Sequence, residues 1–457
     1  MSNKSLEKSL VEILGRTHVK TEPADIWSYG LDNSRRHALA DFVVLPETTE
    51  QVRQIVALCN RFNSPLIARG KGTGTTGATV PITGGVILST ERMNKILRIA
   101  PNDRYMVVQP GVTNEEIQIA AAEHGFFWPP DPTSAAFCTV GGNLAYNSAG
   151  PRAVKYGTPR ENTLGLEAVS GAGNIMRCGV YTTKGVVGYD LTRLLIGSEG
   201  TLAIITEATL KLTPLTESKS TIKAIYKTID SAAQAVSKIM AQSTTPCSLE
   251  FMDKNALNMV RQYSKADLPE DAGAMLMIEV DGKTEHLQQM TKDIGQAAQN
   301  DGLELFTVAH DKTEVKALWE TRKALSPSLR HVAAKKINED VVVPVSNIPK
   351  LINGLEKISN AHQIPIVNFG HAGNGNIHVN LLVQEKDEAA YLCLDDVFKL
   401  VLSLNGSLSG EHGVGIDKLE FIASELDKEA LAVMHLIKQA FDPKGILNPG
   451  KTIPAEK

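Results

Sequence analysis

The sequence has few cysteines and none of the closely spaced pairs that bind metal clusters. Its cysteines, Cys59, Cys138, Cys178, Cys247 and Cys393, are five in number and far apart, and no two form a CxxC pair. An odd, scattered set argues against a disulfide framework, a zinc ribbon and an iron–sulfur cluster. We therefore expect the chain to work in a reducing compartment.

Long apolar runs and blocks of one charge are also missing. No segment approaches the roughly 18 uninterrupted apolar residues of a transmembrane helix, and the N-terminus lacks the apolar core of a signal peptide. Lysine and arginine total 47 against 51 acidic residues, without a long basic block, so nucleic acid binding has little electrostatic support. We expect no nucleic acid partner, no transmembrane segment and a cytoplasmic location, with peripheral attachment at the inner membrane face as the alternative.

The composition is that of a folded globular protein. Of 457 residues, 42% are hydrophobic and 21% are charged, which excludes a disordered or fibrous chain, and the length suggests two or three domains. Apolar residues at helical spacing predict helices over 4–16 and 48–63. From 64 to 214, short β-branched runs separated by glycine, proline and asparagine predict strands with tight turns.

The second half of the chain has a different pattern. Helical stretches at 229–241 and 284–299 alternate with apolar strands such as AMLMIEV and EDVVVPV. This alternation predicts an antiparallel sheet with helices packed on one side. A further helix is expected at 428–441, before a turn-rich end. The expected fold class is therefore α+β.

One glycine-rich segment imitates a dinucleotide-binding turn. Gly72, Gly74 and Gly77 follow the strand PLIA with the G-x-G-x-x-G spacing. A Rossmann turn needs a helix directly afterwards, whereas this chain continues with prolines, glycines and another strand. We reject the Rossmann interpretation. A nest of backbone N–H groups that binds an anion, or an ordinary tight turn, remains open.

Seven motifs follow one another in this half: PETTEQV, ARGKGTGTTGA, VQPGV, PPDP, TVGGNLAYNSAG, KYG and GSEGTLAIIT. Together they resemble the FAD-binding domain of the vanillyl-alcohol oxidase and p-cresol methylhydroxylase type. The resemblance implies a two-domain flavoprotein in which the first glycine loop holds the pyrophosphate and later residues line the rest of FAD. The implied cofactor residues are Arg69, Gly70, Gly72, Thr73, Gly74, Thr75, Pro132, Thr133, Gly141, Gly142, Asn147, Ser148, Gly150, Gly157 and Ile205.

Histidines cluster in the C-terminal half. If 376–383 is a strand, Asn376, His378 and Asn380 share one face, and the glycines before them allow His371 to fold back toward His378. Further on, SGEHGVG supplies Glu411 and His412. Two imidazoles and a carboxylate form a common catalytic metal set. A single histidine here is more often a hydrogen-bonded core or surface residue, but the combined pattern favours the metal site.

These later motifs resemble the FAD-linked 2-hydroxyacid dehydrogenases, the group that holds D-lactate dehydrogenase, the glycolate oxidase FAD subunit and D-2-hydroxyglutarate dehydrogenase. The resemblance implies a substrate or cap domain with an antiparallel sheet, and domain bounds at 1–36 (N-terminal helical segment), 37–215 (FAD-binding domain), 216–410 (substrate domain) and 411–457 (segment closing over the flavin). It further implies metal ligands His371, His378 and Glu411, catalytic residues His412 and Arg322, substrate contacts Arg322, Ser326, Asn380 and His412, and a flavin contact from Asn448.

The expected reaction is oxidation of a D-2-hydroxy acid to the 2-oxo acid by hydride transfer to flavin N5. D-lactate is the favoured substrate, with glycolate and D-2-hydroxyglutarate as alternatives. Some relatives carry a lysine two residues before the aspartate in INED, where this chain has Asn338, with Lys335 and Lys336 nearby. This difference leaves open whether the substrate has a second carboxylate.

Several expectations concern cofactors and partners. Because no histidine lies between His37 and His124, where relatives attach flavin covalently, FAD should be non-covalent. Zinc is the first expectation for the metal, with manganese or iron as alternatives. The electron acceptor stays open among a quinone, an electron-transfer flavoprotein and cytochrome c, as does a homodimer. Rival hypotheses are an alkylglycerone-phosphate synthase-like reaction and a non-catalytic subunit of a glycolate-oxidase-type complex.

Overall fold

The computed structural model describes residues 3–261, 268–333, 335–385 and 388–455. The chain divides into two compact units. The first unit contains the described residues up to Ala149, then Gly157–Leu215, and then the chain from Glu411 onward. The second unit contains Gly150–Tyr156 and Thr216–Gly410.

The elements up to Leu215 are the helices α1 (Asn3–Leu14), α2 (Pro23–Ile26), α3 (Thr49–Phe62), α4 (Asn114–Ala122), α5 (Val140–Tyr146), α6 (Ala153–Tyr156) and α7 (Leu191–Leu195), and the strands β1 (Val19–Lys20), β2 (Phe42–Val44), β3 (Leu66–Arg69), β4 (Val86–Ser89), β5 (Ile96–Ala100), β6 (Tyr105–Val108), β7 (Phe126–Phe127), β8 (Thr163–Ser170), β9 (Ile175–Gly179), β10 (Ala203–Lys211) and β11 (Thr213–Pro214).

The elements after Leu215 are the helices α8 (Ile229–Met240), α9 (Lys254–Val260), α10 (Thr284–Ala298), α11 (Lys312–Val332), α12 (Ile348–His362), α13 (Glu388–Ser403), α14 (Ile422–Glu425) and α15 (Lys428–Phe441), and the strands β12 (Ser218–Tyr226), β13 (Ser248–Asp253), β14 (Ala274–Gly282), β15 (Leu303–Val308), β16 (Lys335–Val342), β17 (Ile366–His371) and β18 (Asn376–Val383).

The predicted N-terminal helices are confirmed. Helix α3 begins after Thr48, whose side chain accepts a hydrogen bond from Gln51 N, and it ends at Asn63 in the left-handed conformation. The apolar stripes of α1 and α3 meet in one core, which contains Leu6 and Leu10 from α1 and Val52 and Ile55 from α3. Burial of these stripes, rather than intrinsic propensity, stabilises both helices.

Two sheets form the body of the first unit. One has the strand order β1-β2-β4-β3, in which β2, β4 and β3 are parallel, and the other has the antiparallel order β5-β6-β10-β8-β9. The element that follows β3 in the chain is β4, not a helix. The rejection of a Rossmann turn at Gly72–Gly77 is therefore confirmed.

The second unit is built on an antiparallel sheet with the strand order β15-β12-β14-β13-β17-β18-β16. The expectation that its helices pack on one side is wrong. Ile225 of β12 lies in a core with α9 and α11, whereas the next residue, Tyr226, donates a hydrogen bond to Ala298 O of α10. Since successive residues of a strand point to opposite faces, helices cover both faces.

Strand β18 occupies the predicted residues 376–383, and all of them are buried. Cross-strand pairing places His378 opposite Phe369 of β17 and Asp340 of β16. No helix within the described residues has the length and apolar character needed to cross a bilayer.

Candidate functional site

A cavity lies in the first unit, beside β3 and α5. Several residues expected to bind FAD line it together: Arg69 and Gly70 at the end of β3, Gly141 and Gly142 in α5, and Ile205 in β10. The structure thus brings part of the predicted cofactor set to one place.

Neighbouring atoms leave no room for a side chain at two of the glycines that line this cavity, Gly70 and Gly141. A Cβ atom at Gly70 would collide with Thr139 Oγ1, and one at Gly141 would lie 2.7 Å from Pro110 Cβ. At Gly142, by contrast, the only heavy atom within 4 Å of a Cβ would be Thr139 Oγ1, at 3.4 Å. Gly142 therefore leaves open space toward the cavity, as a cradle for a bound cofactor does.

Arg69 does more than line the cavity. Its guanidinium donates hydrogen bonds to Leu31 O at 2.7 Å and to Thr79 Oγ1 at 3.3 Å. It also fills the space beside Gly72, where a Cβ would collide with it. Arg69 thereby supports the glycine loop from within the first unit.

The other predicted cofactor residues are distributed differently. Gly72, Thr73, Gly74 and Thr75 form the loop after Gly70, and Gly150 falls in the second unit. The following residues belong to the first unit but are outside the lining of this cavity: Pro132, Thr133, Asn147, Ser148, Gly157 and Asn448.

The segment Glu411–Gly415 is fastened to the first unit through its backbone. Ser148 Oγ donates to Glu411 O, and Thr76 Oγ1 donates to His412 O. The carboxylate of Glu199 accepts from the N–H groups of Val414 and Gly415, at 2.6 and 2.8 Å. All of these bonds are made by the backbone of the segment.

Glu199 is a buried acid that sequence analysis missed as a site residue. Burial raises the pKa of Glu199, against the hydrogen bonds from Thr452, Val414 and Gly415 that lower it. Asn448, expected to contact the flavin, donates to Glu199 O and accepts from Lys451 Nζ. Burial lowers the pKa of Lys451 to about 8. The C-terminal segment, which is part of the first unit, is therefore connected to the rest of that unit through buried polar groups.

The second unit collects charged residues on one face of its sheet. Glu250 of β13 pairs with His371 of β17, and Phe369 of β17 pairs with His378 of β18. Directly paired residues lie on the same face. The rings of His371 and His378 are 5.3 Å apart, centroid to centroid, and nearly perpendicular.

Glu250 connects two of the predicted site residues. Its Oε1 lies 2.6 Å from His371 Nδ1, and its Oε2 lies 2.6 Å from Arg322 Nε. All three side chains are buried. Burial alone would raise the pKa of Glu250, but the charges and hydrogen bonds of His371 and Arg322 outweigh it and lower this pKa to about 2.

Arg322 is held by an aromatic ring as well. Its guanidinium carbon lies 5.0 Å from the centroid of Phe369. Ser326, one turn further along α11, is exposed, and its hydroxyl is 3.5 Å from Lys336 Nζ. Arg322 thus belongs to the buried cluster with Glu250 and His371, whereas Ser326 is exposed.

Asn380 presents a hydrogen-bond acceptor on this face. Its amide nitrogen donates to Val367 O and His378 O, which fixes the orientation of the side chain. Its Oδ1 and that of Asn338, the residue opposite on β16, lack hydrogen-bond partners in the described part of the chain. Buried acceptors of this kind suit a donor group of a ligand.

Two imidazoles in edge-on contact, one of them held by a carboxylate, are suited to a divalent metal. His371 and His378 supply these donors within the second unit, and Glu411 begins the next segment of the first unit directly after Gly410. Sequence analysis missed Glu250 in this arrangement. The available signal was a lone acid inside the apolar run CSLEFM.

Comparison with sequence families gives two matches. The family described as "FAD binding domain" matches residues 40–179, and "FAD linked oxidases, C-terminal domain" matches residues 215–452. The chain is 37% identical to the glycolate oxidase subunit GlcD of Bacillus subtilis over 99% of this chain and 97% of the relative. It is 35% identical to a D-lactate dehydrogenase of Archaeoglobus fulgidus over 91% of this chain and 92% of the relative.

Solved structures with the same fold include p-cresol methylhydroxylase with substrate bound. That structure matches with a TM-score of 0.80 and 17% identity over 99% of this chain and 97% of that one. An alkyldihydroxyacetonephosphate synthase matches with a TM-score of 0.76 and 20% identity over 99% of this chain and 86% of that one. At these identities the likeness shows the fold alone, and it confirms the expected p-cresol methylhydroxylase type.

Proposed function

Because the chain belongs to the FAD-linked oxidase family, we propose that it is a dehydrogenase that oxidises a D-2-hydroxy acid, with D-lactate favoured over glycolate and D-2-hydroxyglutarate. One observation of the structure carries this proposal. A buried guanidinium, Arg322, is joined through Glu250 to His371, with His378 beside it. This combination offers an anion site next to two potential metal ligands.

The chain's own residues would divide the work as follows. Arg322 binds the substrate carboxylate, since a guanidinium fork matches a planar carboxylate. His412 removes the hydroxyl proton, and Asn380 Oδ1 accepts a hydrogen bond from a substrate donor. When bound, FAD would supply the acceptor for the hydride from C2, and a divalent metal, which His371, His378 and Glu411 would hold, would supply a positive charge that favours ionisation of the hydroxyl group.

The choice among hydroxy acids depends on the second substituent of C2. Asn338 is a neutral amide and offers no cation to a second carboxylate, which favours lactate or glycolate. Lys336, however, lies close to Ser326 and could attract one. D-2-hydroxyglutarate therefore belongs among the tested substrates.

An anaerobic screen tests the proposal directly. D-lactate, L-lactate, glycolate and D-2-hydroxyglutarate are each mixed with the purified holoenzyme, and the absorbance of oxidised flavin is followed. We expect a D-2-hydroxy acid to bleach the flavin and its L-enantiomer to do so poorly. Flavin that none of these acids reduces would contradict the proposal and favour an alkylglycerone-phosphate synthase-like reaction or a non-catalytic subunit.

Two relatives are named as glycolate oxidase subunits, which supports the proposal that this protein acts as one subunit of a complex. The electron acceptor in that case is a partner group, with a quinone, an electron-transfer flavoprotein and cytochrome c as the candidates. Assaying reoxidation of the reduced protein with each acceptor separates them.

A further inference from the structure

The two oxygens of Glu250 contact different functional side chains. We propose that Glu250 is a positioning residue that sets the ring tautomer of His371 and the orientation of the Arg322 guanidinium. The inference rests on the proposed function, in which His371 binds a metal and Arg322 binds the substrate carboxylate. It adds a residue that acts through others: Glu250 holds His371, the proposed metal ligand, and Arg322, the proposed carboxylate-binding residue.

The tautomer follows from the hydrogen-bond chain. A guanidinium has N–H donors and no acceptor, so Arg322 Nε donates to Oε2 of Glu250. A carboxylate ionised beside this charge can only accept, so the bond between Oε1 and His371 Nδ1 requires a hydrogen on Nδ1. In the neutral ring, Nε2 is then the nitrogen without a hydrogen, whose lone pair can bind a metal.

The orientation of Arg322 follows from the same bond. Its Nε donates to Glu250, and its guanidinium carbon lies 5.0 Å from the centroid of the Phe369 ring. Among the described residues the two terminal nitrogens make no further hydrogen bond, and their four N–H bonds form the fork that matches a carboxylate. Glu250 therefore fixes the end of the guanidinium that carries Nε.

Glu250→Gln tests the tautomer claim because the side chain keeps its shape. Arg322 Nε still needs an acceptor, so the amide oxygen must face Arg322 and the amide NH₂ must face His371 Nδ1. The ring then accepts at Nδ1 and carries its hydrogen on Nε2, where it blocks the metal. We expect the Zn²⁺ affinity, measured by chelator competition, to fall by about 10–100-fold, the usual effect of losing an outer-shell partner.

Glu279→Gln is the matched control. Glu279 is also a buried acid of this sheet, but it accepts hydrogen bonds from Thr221 and from Trp319. Its variant should bind Zn²⁺ as the parent does. FAD content and the unfolding temperature of both variants are recorded to verify folding.

A measurement on the parent makes the inference independent of whether Glu250→Gln folds. Nitrogen-15 NMR of the metal-free protein, with His371→Gln to assign the signals, reports which ring nitrogen of His371 carries hydrogen. We expect the Nδ1–H form, and an Nε2–H form would overturn the proposal.

The outcomes also separate this inference from the proposed function. If the parent binds Zn²⁺ and Glu250→Gln binds it as tightly as Glu279→Gln, the positioning role is wrong while the ligand assignment stands. If His371→Gln binds Zn²⁺ as tightly as the parent, the ligand assignment is wrong, and the NMR measurement alone decides the tautomer.

Discussion

Single side chains can be tested without disturbing the backbone around them, and His412 is the clearest case. The backbone of its segment is held by Thr76 and Glu199, so removing the imidazole leaves those bonds intact. We expect His412→Ala to retain FAD and metal but to slow substrate-driven flavin reduction by about 10²–10⁴-fold, the usual contribution of a general base. Anaerobic stopped-flow measures this rate.

The control for this variant is His124→Ala, which removes an exposed histidine of the same unit. It should reduce flavin at the parent's rate. A His412→Ala protein that also matched the parent would assign the proton transfer to another group.

At the scale of secondary-structure elements, helix α5 contains two neighbouring glycines, of which Gly141 has no space for a side chain and Gly142 does. A methyl group at Gly141 would press on Pro110, whereas one at Gly142 meets only Thr139 Oγ1 at an ordinary distance. We expect Gly141→Ala to destabilise the fold by about 1–3 kcal/mol through overpacking. Gly142→Ala should keep the unfolding temperature of the FAD-free protein but weaken FAD binding by a similar amount.

Titration of FAD into each cofactor-free variant, together with thermal unfolding, separates the two effects. If Gly142→Ala bound FAD as tightly as the parent, the cavity beside α5 would not be the cofactor site.

Helix α9 begins with an acid whose protonation depends on burial. Asp253 caps the helix by accepting from Ala256 N, and it also accepts from the backbone and side chain of Asn368. Burial, only partly offset by these bonds, raises the pKa of Asp253 to about 6. The unfolded value is about 3.9.

The folded state therefore binds this proton more tightly than the unfolded state. The contribution of Asp253 to the free energy of unfolding is complete below about pH 4, and about 3 kcal/mol of it is lost as the pH rises through 6. Asp253→Asn removes this titration, so we expect the parent to lose stability relative to the variant between pH 4 and 7. Urea unfolding at several pH values measures the difference.

Asp427→Asn provides the comparison, because Asp427 caps α15 at an exposed position. This variant shows how replacing an exposed capping acid by its amide changes the free energy of unfolding. A parallel pH dependence of the parent and Asp253→Asn would mean that Asp253 does not titrate in this range.

At the scale of the whole molecule, cofactor and metal residues are divided between the units. The cavity expected to hold FAD belongs to the first unit, whereas His371 and His378 belong to the second. We expect a chelator to stop turnover by removing about one metal ion per chain while the protein stays yellow, and added Zn²⁺, Mn²⁺ or Fe²⁺ to restore turnover. Elemental analysis measures the metal content, and the flavin spectrum shows whether FAD is retained.

Active enzyme without stoichiometric metal would remove the metal from the proposed mechanism. Acid precipitation of the same preparation tests the flavin linkage: FAD should be released into the supernatant, and flavin that stays with the precipitate would contradict non-covalent binding.

Local features of this protein were predictable because their causes are local. The stripe of Val52, Ile55 and Val56 predicts helix α3, and alternation predicts strand β18 with His378 and Asn380 on one face. The absence of a helix after Gly77 excluded the Rossmann turn. Motif resemblance added the FAD domain, which the family matches confirm.

Features that depend on pairing between distant residues required the tertiary structure. Periodicity indicates that a helix has an apolar side but not which sheet face it covers, which is why the expectation of helices on one side was wrong. Glu250 is 121 residues from His371 and 72 from Arg322, so only the pairing of β13 with β17 and the docking of α11 bring the three together. The sequence by itself determined local elements such as α3 and β18, and it identified His371, His378 and Arg322 as candidate site residues. The tertiary structure decided which carboxylate holds them, because hydrogen bonds of 2.6 Å depend on strand register and helix packing that no local pattern encodes.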